Sequence, residues 1–576
     1  MMARFFHHTQ HNATIMHAQM HALSPLPGRP AGFWNRVSAA TIDLLLLYAT
    51  LRGLEAILAK AGIYTPFETA YVLAGSLYAI AGLRLRGATI GKYLCGLRVQ
   101  TVSHETIGVA RAVLRETAGK AFCALPLLAG FIAAAGPAKR GWHDRIAGTA
   151  VFRHSQHYSH RTGTAAGLGA ALLIAAMWIV DVTRLYLNVR PILPTRLHHS
   201  RYAGRDPKTL TEVSHIDEAL HARYASWLNS HAKPATDFVI EQCRQYPVVI
   251  IGEKHWQKRP LVLLSELLPR LYHDSGVRCV AAEWLQAVDS PLVERLLQGD
   301  TFDWHRAIEI ARHHSWKTWG WREYMYVLEA AWRLNRSLEA GQPKMRIVGL
   351  DLSIDLPSVA LAGFGDDRID APFWERLRVV RLIRELPKMF LRDAFMAREV
   401  ERQLLQPRQR GIVWVGASHS TVNCRSPRGE SRGWGRMGFM LKVKYPGQVH
   451  QIALHGVFLS SVPSNAPSKI DQFIEGVMQR SGSGWVGFDV IDSPFDSMRD
   501  SSAWGFRYVA EMSLGDLACA YLFLGTDHGG DRCGWLEGYV TEAMFVENSA
   551  FYVAKGRQLG VDVRSAASAN LALRRQ

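Results

Sequence analysis

Glu253 and His255 sit two residues apart, directly after the run Pro247-Val248-Val249-Ile250-Ile251-Gly252. Glu283 closes a second apolar run that begins at Val277, and Asp351 follows a third, Lys344 to Leu350. His419 comes after Gly411 to Val415, through Gly416-Ala417-Ser418. If these runs are neighbouring parallel strands, two imidazoles and two or three carboxylates meet at one sheet edge. Such a set suits general-base activation of water or a divalent-metal site built from Glu253, His255, Glu283 and His419. Residue type alone leaves both chemistries open.

The elements that must position this set are legible around it. Four β-branched residues in a row, stopped by a glycine, read as a buried parallel strand. Pro260 to Tyr272 has a helical apolar pattern, and Val277 to Glu283 is again strand-like. Strands and helices then alternate almost to the end, the signature of an α/β domain with a mainly parallel sheet flanked by helices, three layers in all. In such sheets ligands gather at the carboxyl ends of the strands.

The order of further motifs carries a resemblance. Thr318-Trp319-Gly320-Trp321-Arg322-Glu323, Trp332-Arg333-Leu334-Asn335, Val348-Gly349-Leu350-Asp351, Arg392-Asp393-Ala394-Phe395-Met396-Ala397 and Gly416-Ala417-Ser418-His419 resemble the erythromycin-esterase family. That family is grouped with the haem-binding ChaN proteins and the TIKI/TraB proteins. The resemblance covers about residues 244 to 460. It implies a catalytic set of Glu253, His255, Glu283, Arg392 and His419, with His255 as general base and Glu253 and Glu283 orienting or charge-balancing the imidazoles. Arg392 would bind an oxyanion or carboxylate, and His419 would assist as acid or ligand. The implied leading activity is hydrolysis of an ester or related bond in a bulky substrate. Two rivals remain: a haem- or metal-binding receptor of ChaN type, and a metal-dependent peptidase of TIKI/TraB type. The cofactor is accordingly a divalent metal, haem or none, and the partner a small-molecule or peptide substrate.

Other features carry less. Trp256, Trp284, Trp304, Trp316, Trp319 and Trp321 cluster around the motifs and would line an apolar pocket, half of them as plain core. His305, His313 and His314 match no motif position. Ser418 beside His419 lacks a G-x-S-x-G elbow. Asp527-His528-x-x-Asp531-x-Cys533 has ligand types but reads as a glycine-rich surface loop. Ser481 to Gly487 is glycine-rich without the strand and helix that a nucleotide fingerprint needs.

The first two hundred residues have a different character. The chain has 576 residues and a net charge of +17, yet residues 1 to 205 hold 22 Lys/Arg against 7 Asp/Glu while the remainder holds 45 against 43. The basic excess therefore accompanies the long apolar runs, as in membrane-flanking loops, and no nucleic-acid partner is expected. Ser38 to Leu58, Thr69 to Leu85 and Ala165 to Leu187 are apolar enough to span a bilayer. Asp43, Arg52 and Glu55 within the first need polar partners or an interface. Arg36-x-x-Ala-x-x-x-Asp43, Gly87-Ala88-Thr89-Ile90-Gly91-Lys92 and His143-Asp144-Arg145-x-Ala147-Gly148-Thr149 resemble the RDD family of small membrane domains, over about residues 32 to 153. The residues for which that family is named would be Arg36, Asp43 and Asp144. Basic segments on both sides of residues 121 to 135 place both in the cytoplasm, making that run re-entrant or interfacial. Three spans then put the soluble domain outside the cytoplasm of an inner-membrane, multi-pass protein.

The expected organisation is a disordered His-rich tail over 1–31, an RDD-like module over 32–160, a spanning helix over 161–190, a linker with one helix (Ile216 to Asn229) over 191–240, and the α/β domain over 241–576. No signal peptide is expected, because no apolar stretch precedes Trp34. Seven cysteines without a C-x-x-C pair exclude zinc-ribbon and thioredoxin motifs. Cys519 and Cys533 could bridge in an oxidising compartment, but buried thiols are the simpler expectation.

Overall fold

The computed structural model describes residues 29–60, 67–120, 131, 133–153, 169, 176, 178–194, 201, 206–213, 218–361, 379–424, 435–457, 468–500, 512–526 and 531–575. The chain forms two compact units, Met1–Val180 and Asp181–Gln576. The His-rich tail before residue 29, most of 121–135, and residues 165–168, 170–175 and 177 lie outside the described residues.

In the first unit, helices Phe33–Lys60 and Phe67–Arg86 accompany an antiparallel pair, β1 (Leu97–Thr101) and β2 (Thr149–Arg153). The two helices cover the first two expected spans. Among the described residues, however, no helix is long and apolar enough to cross a membrane. Phe33–Lys60 carries Arg36, Asp43, Arg52, Glu55 and Lys60, and that charge lowers its hydropathy. Arg36 Nη1 donates to Asp144 Oδ2 at 2.6 Å, joining two of the three residues expected to mark this module. Asp43 stands apart from that pair. It accepts from the Tyr78 hydroxyl at 2.6 Å, from Thr89 Oγ1 at 2.6 Å and from the Gly91 N–H at 2.7 Å. Sequence reasoning missed Arg115, a buried residue that donates to Asp144 Oδ1 at 2.9 Å and also pairs with Glu116. Burial alone would raise the Asp144 carboxyl, but Arg115, His143 and Arg36 hold it well below the usual carboxylate range.

The second unit is built on an eight-stranded sheet. Its short strands β3 (Thr211–Glu212), β4 (Lys233–Pro234) and the long β5 (Val248–Glu253) come first. They are followed by β6 (Cys279–Gln286), β7 (Arg346–Asp351), β8 (Gly411–Gly416) and β9 (Val449–Leu454). The last are β10 (Val486–Asp489), β11 (Met498–Arg499) and β12 (Ala520–Phe523). Strand order in the main sheet is β4-β10-β12-β9-β5-β8-β6-β7, parallel from β12 to β7 and antiparallel at β10 and β4. β3 and β11 pair separately.

Alternation divides each central strand between two cores. Val249, Ile251, Val280, Ala282, Ile412 and Ile452 face a core that includes Leu264, Leu268 and Leu271 of helix Lys258–Ser275. Val248, Ile250, Ala281, Val413, Val415 and Val449 face the opposite one, with Leu391, Ala394 and Ala397 of helix Val379–Val400. This is the three-layer α/β arrangement expected from the alternating pattern.

Three expectations need adjusting. The segment over 191–240 is not a free linker: helix Glu218–His231 buries Tyr224 and Leu228, Tyr224 meets Phe473 and Phe495 edge-on, and β4 joins the sheet. Strand β6 does not stop at Glu283 but continues to Gln286, with its pairing to β7 shifted between Ala282 and Gln286. Such an irregularity redirects side chains and often borders functional sites. Finally, Ala417–Ser420, read as the strand end that carries His419, is a short helix.

Candidate active site

β5, β6, β7 and β8 are adjacent and parallel, so their carboxyl ends deliver Glu253, Glu283, Asp351 and the His419 helix to one edge. His255 follows β5 by two residues. Its Nδ1 lies 2.8 Å from Glu253 Oε1, which also accepts from the Tyr324 hydroxyl at 2.7 Å. Trp414 Nε1 donates to the other oxygen of Glu253. A carboxylate accepting at both oxygens leaves its imidazole partner as donor, so His255 donates to Glu253 through Nδ1. The next residue, Trp256, has a φ of +70°, a strained conformation for an aromatic residue. Its N–H donates to Tyr324 at 3.2 Å and its carbonyl accepts from the Cys533 N–H at 2.9 Å. The strained turn is thereby tied to the hydroxyl that holds Glu253.

Glu283 lies between this pair and a second one. Its Oε2 accepts from the Gly416 N–H at 2.6 Å, and its Oε1 accepts from Arg392 Nη2 at 2.7 Å. A Cβ at Gly416 would lie 2.6 Å from His255 Nε2 and 3.4 Å from Glu283 Oε2, so any larger residue there would displace the imidazole. That close approach also brings the imidazole and Glu283 together. Arg392 Nε donates to Asp351 Oδ1 at 2.6 Å, and its Nη1 donates to His419 Nε2 at 3.2 Å. His419 Nδ1 in turn lies 2.8 Å from Asp393 Oδ1, while Asp393 also accepts from the Met437 N–H at 2.9 Å and from Arg436 at 3.0 Å. Arg392 and Asp393 are consecutive on one helix and reach three partners each from adjacent positions.

The electrostatics follow from these contacts. Burial would raise Glu283, but His419, Arg392 and His255 outweigh it and hold the carboxyl well below the usual range. Asp393 behaves likewise, its burial overridden by His419 and Arg436. Asp351 goes the other way: burial raises it despite Arg392. Burial, reinforced by Glu253, pushes the Tyr324 phenol well above its ordinary value, so it remains a neutral donor.

All five residues expected from the resemblance thus fall in one cluster, with Asp351 as a sixth. Missed were Asp393, Tyr324 and Trp414. The first lies within the Arg392-Asp393 motif, the second one residue beyond Trp321-Arg322-Glu323, and the third inside a strand read only as apolar. His305 and His313 stay outside: the first is exposed beside Glu309, and the second pairs with Asp289 at 2.9 Å. Of the glycine-rich segment near residue 530, Asp531 accepts from the Arg259 N–H at 3.2 Å, whereas His528 lies outside the described residues. Cys519 and Cys533 are buried free thiols.

The set does not fit a divalent cation. Among the described residues no group of three or more His, Cys, Asp and Glu is placed to hold a metal ion. The physical reason is Arg392, whose guanidinium already supplies the positive charge between Glu283 and Asp351 and contacts the His419 nitrogen a metal would need. A haem iron would find His419 engaged at both nitrogens, and Trp284, Trp319 and Trp321 are buried at 2%, 3% and 2% exposure.

Comparison with known proteins identifies the first unit. Residues 30–148 match the RDD family, and the chain belongs to that family. The uncharacterized protein YckC of Bacillus subtilis is 34% identical over 137 residues, which are 21% of this chain and 84% of YckC. Solved structures similar to the chain include a succinoglycan biosynthesis protein at 9% identity and a TM-score of 0.37, covering 54% of this chain and 98% of that one. An erythromycin esterase variant, EreC, in its open conformation has 15% identity and a TM-score of 0.35, covering 50% and 92%. ChaN of Campylobacter jejuni with cofacially bound heme has 14% identity and a TM-score of 0.27, covering 42% and 94%.

Proposed function

We propose that the second unit hydrolyses an ester or related bond of a bulky substrate with water activated by His255. The observation that carries this reading is the Glu253–His255 pair, locked by Tyr324 and Trp414 and set against Glu283 across Gly416. In the first step, His255 Nε2 takes a proton from water as the water oxygen bonds to the carbonyl carbon and the C=O pair moves onto oxygen. In the second, that pair returns, the C–O bond to the leaving group breaks, and His255 gives its proton to the departing alkoxide. Glu253 holds the tautomer and balances the imidazolium, and Glu283 adds negative charge close by. Arg392 serves in this reading to organise Glu283, Asp351 and His419, since each of its three nitrogens has a partner, and the oxyanion falls to other donors. His419 Nε2 contacts Arg392 Nη1 and helps hold that guanidinium in place. Turnover of ester and lactone libraries by the full chain in detergent tests the reading. The expected result is hydrolysis that EDTA does not diminish.

The first unit serves as a membrane module, with the bilayer as its partner and Asp43, Arg36 and Asp144 as its internal polar ties. Spans over Ser38 to Leu58, Thr69 to Leu85 and Ala165 to Leu187, with basic segments kept inside, place the hydrolytic unit outside the cytoplasm of an inner membrane. Alkaline phosphatase fused after residue 205 is then active. An inactive phosphatase there, with an active cytoplasmic reporter at the same point, reverses the topology.

A further inference from the structure

Residues 178–189 form one helix that continues the apolar run Ala165 to Leu187 into the second unit. Tyr186 and Leu187 are exposed, but Val189 is fully buried, as are Ile192 and Leu193 past the turn Arg190–Ile192. Val189, Ile192 and Leu193 pack in the core that holds Leu404 and Leu441, and Leu185 packs against it. Lys444 Nζ donates to the Pro191 carbonyl at 2.6 Å and also pairs with the buried Glu401. An apolar run that enters a packed core in this way is a rigid mount, whereas a flexible linker would leave the unit free to turn. The mount sits at one end of the sheet. The turn after Glu401–Leu405 leads into β8, and helix Met437–Lys444 leads into β9. Both strands run parallel to β5, so the chain enters the sheet beside the mount and leaves it at the edge that carries Glu253, Glu283 and His419. β5 and β8 are each six residues long, and at about 3.3 Å per residue roughly 20 Å of strand separates the two edges. The mount edge is also basic: residues 401–410 and 442–448 hold Arg402, Arg408, Arg410, Lys442 and Lys444 against the carboxylate of Glu401. Of these, Arg402, Arg408 and Lys444 are exposed.

We infer that the amino edge of the sheet rests on the bilayer surface, with Arg402, Arg408 and Lys444 against phospholipid phosphates, so that the candidate site faces water and takes its substrate from solution. This rests on the hydrolytic reading and on the bilayer-spanning reading of Ala165 to Leu187. The course of the chain carries it: exposed Leu187 still belongs to the apolar run and buried Val189 already belongs to the mount, so no free segment separates bilayer from sheet. Charge acts in the same direction, since each basic group near an anionic headgroup surface raises membrane affinity about fivefold. The geometry is the same on either side of the bilayer. With the site about 20 Å of strand away from the headgroups, the substrate class is an acyl compound dissolved in water and not an ester held among lipid chains.

The test uses the full chain in nanodiscs of phosphatidylglycerol and phosphatidylcholine that contain a lipid spin-labelled on its headgroup. A thiol-reactive fluorophore is attached to Gln448→Cys or Gln406→Cys at the mount edge, or to Val288→Cys just past β6 at the other edge. All three positions are exposed, and the cysteines among the described residues are buried, so labelling of the parent gives the background. The spin label is expected to remove most of the fluorescence at positions 448 and 406 and little of it at 288. Gln406→Cys decides where Gln448→Cys does not fold, as judged by its melting. Equal quenching at the two edges, stronger quenching at 288, or none at any position overturns the orientation. The same discs are then offered p-nitrophenyl butyrate in solution and a phosphatidylcholine carrying a butyryl chain in the bilayer. Turnover of the soluble ester alone is expected, and turnover of the lipid-held one overturns the assignment of the substrate to solution. Quenching as expected with neither ester hydrolysed leaves the orientation standing and removes the hydrolytic reading instead.

Discussion

His255→Ala lowers kcat/KM for an ester hydrolysed by the full chain by a factor of about 100 to 10,000, the range typical for loss of a general base. The protein level and melting temperature stay close to those of the parent. The second half of that expectation comes from exposure: the His255 side chain is 30% accessible, so its loss opens little cavity. Glu253, at 4% exposure, keeps its Tyr324 and Trp414 donors when the imidazole goes. Steady-state kinetics and thermal melting of the parent and variant check both halves. Near-normal turnover in His255→Ala sinks the assignment of the base.

Arg392→Ala is expected to have the largest effect on folding. It strips the cationic partner from Glu283 and Asp351, which are 4% and 1% exposed, and breaking a buried ion pair from one side typically costs about 3–5 kcal/mol. Replacing the whole constellation with apolar groups would cost less, because the penalty comes from the charges left behind. The effect also depends on pH with a definite sign. Glu283 is ionised far below its ordinary range in the folded protein, so its contribution is complete above the unfolded value of about 4.3 and is lost as pH falls from there through its depressed folded value. Asp351, raised by burial, works in the opposite direction. Chemical denaturation should therefore show the largest gap between parent and variant near neutral pH and one that narrows progressively as pH falls below about 4. A gap below about 1 kcal/mol at neutral pH would show that the pairing contributes no more than an exposed ion pair.

Much of this site was readable before the fold, and the reasons are physical. Val248 to Ile251 could only be a strand buried on both faces, so Glu253 and His255 had to leave its carboxyl end. The motif order then brought Glu283, Arg392 and His419 to the same edge. What could not be read was contact. Asp393 sat in a quoted motif, but only the helix geometry shows it turned to His419 while its neighbour turns to Glu283. Trp414 alternates in the sequence as a core residue, and its indole N–H has meaning only once β8 lies beside β5. Tyr324 reaches the site through helix placement that no periodicity encodes. The role expected for Arg392 changed because residue type announces a cation but not how many carboxylates already surround it. In the first unit, motif singled out Arg36 and Asp144 but not their pairing across more than a hundred residues, and the buried Arg115 between Glu116 and Asp144 was hidden in a segment read only as basic.

Catalysis by an acid–base site without metal is tested most directly by hydrolysis of an ester and lactone panel by the metal-stripped full chain, followed by product mass and by the intact mass of the protein during turnover. Carboxylic acid is expected to be released at a rate unaffected by EDTA, lost in His255→Ala, with no acyl group accumulating on the protein. Hydrolysis that disappears with EDTA and returns with added metal, or an acyl adduct on Ser418 or any other side chain, would contradict it.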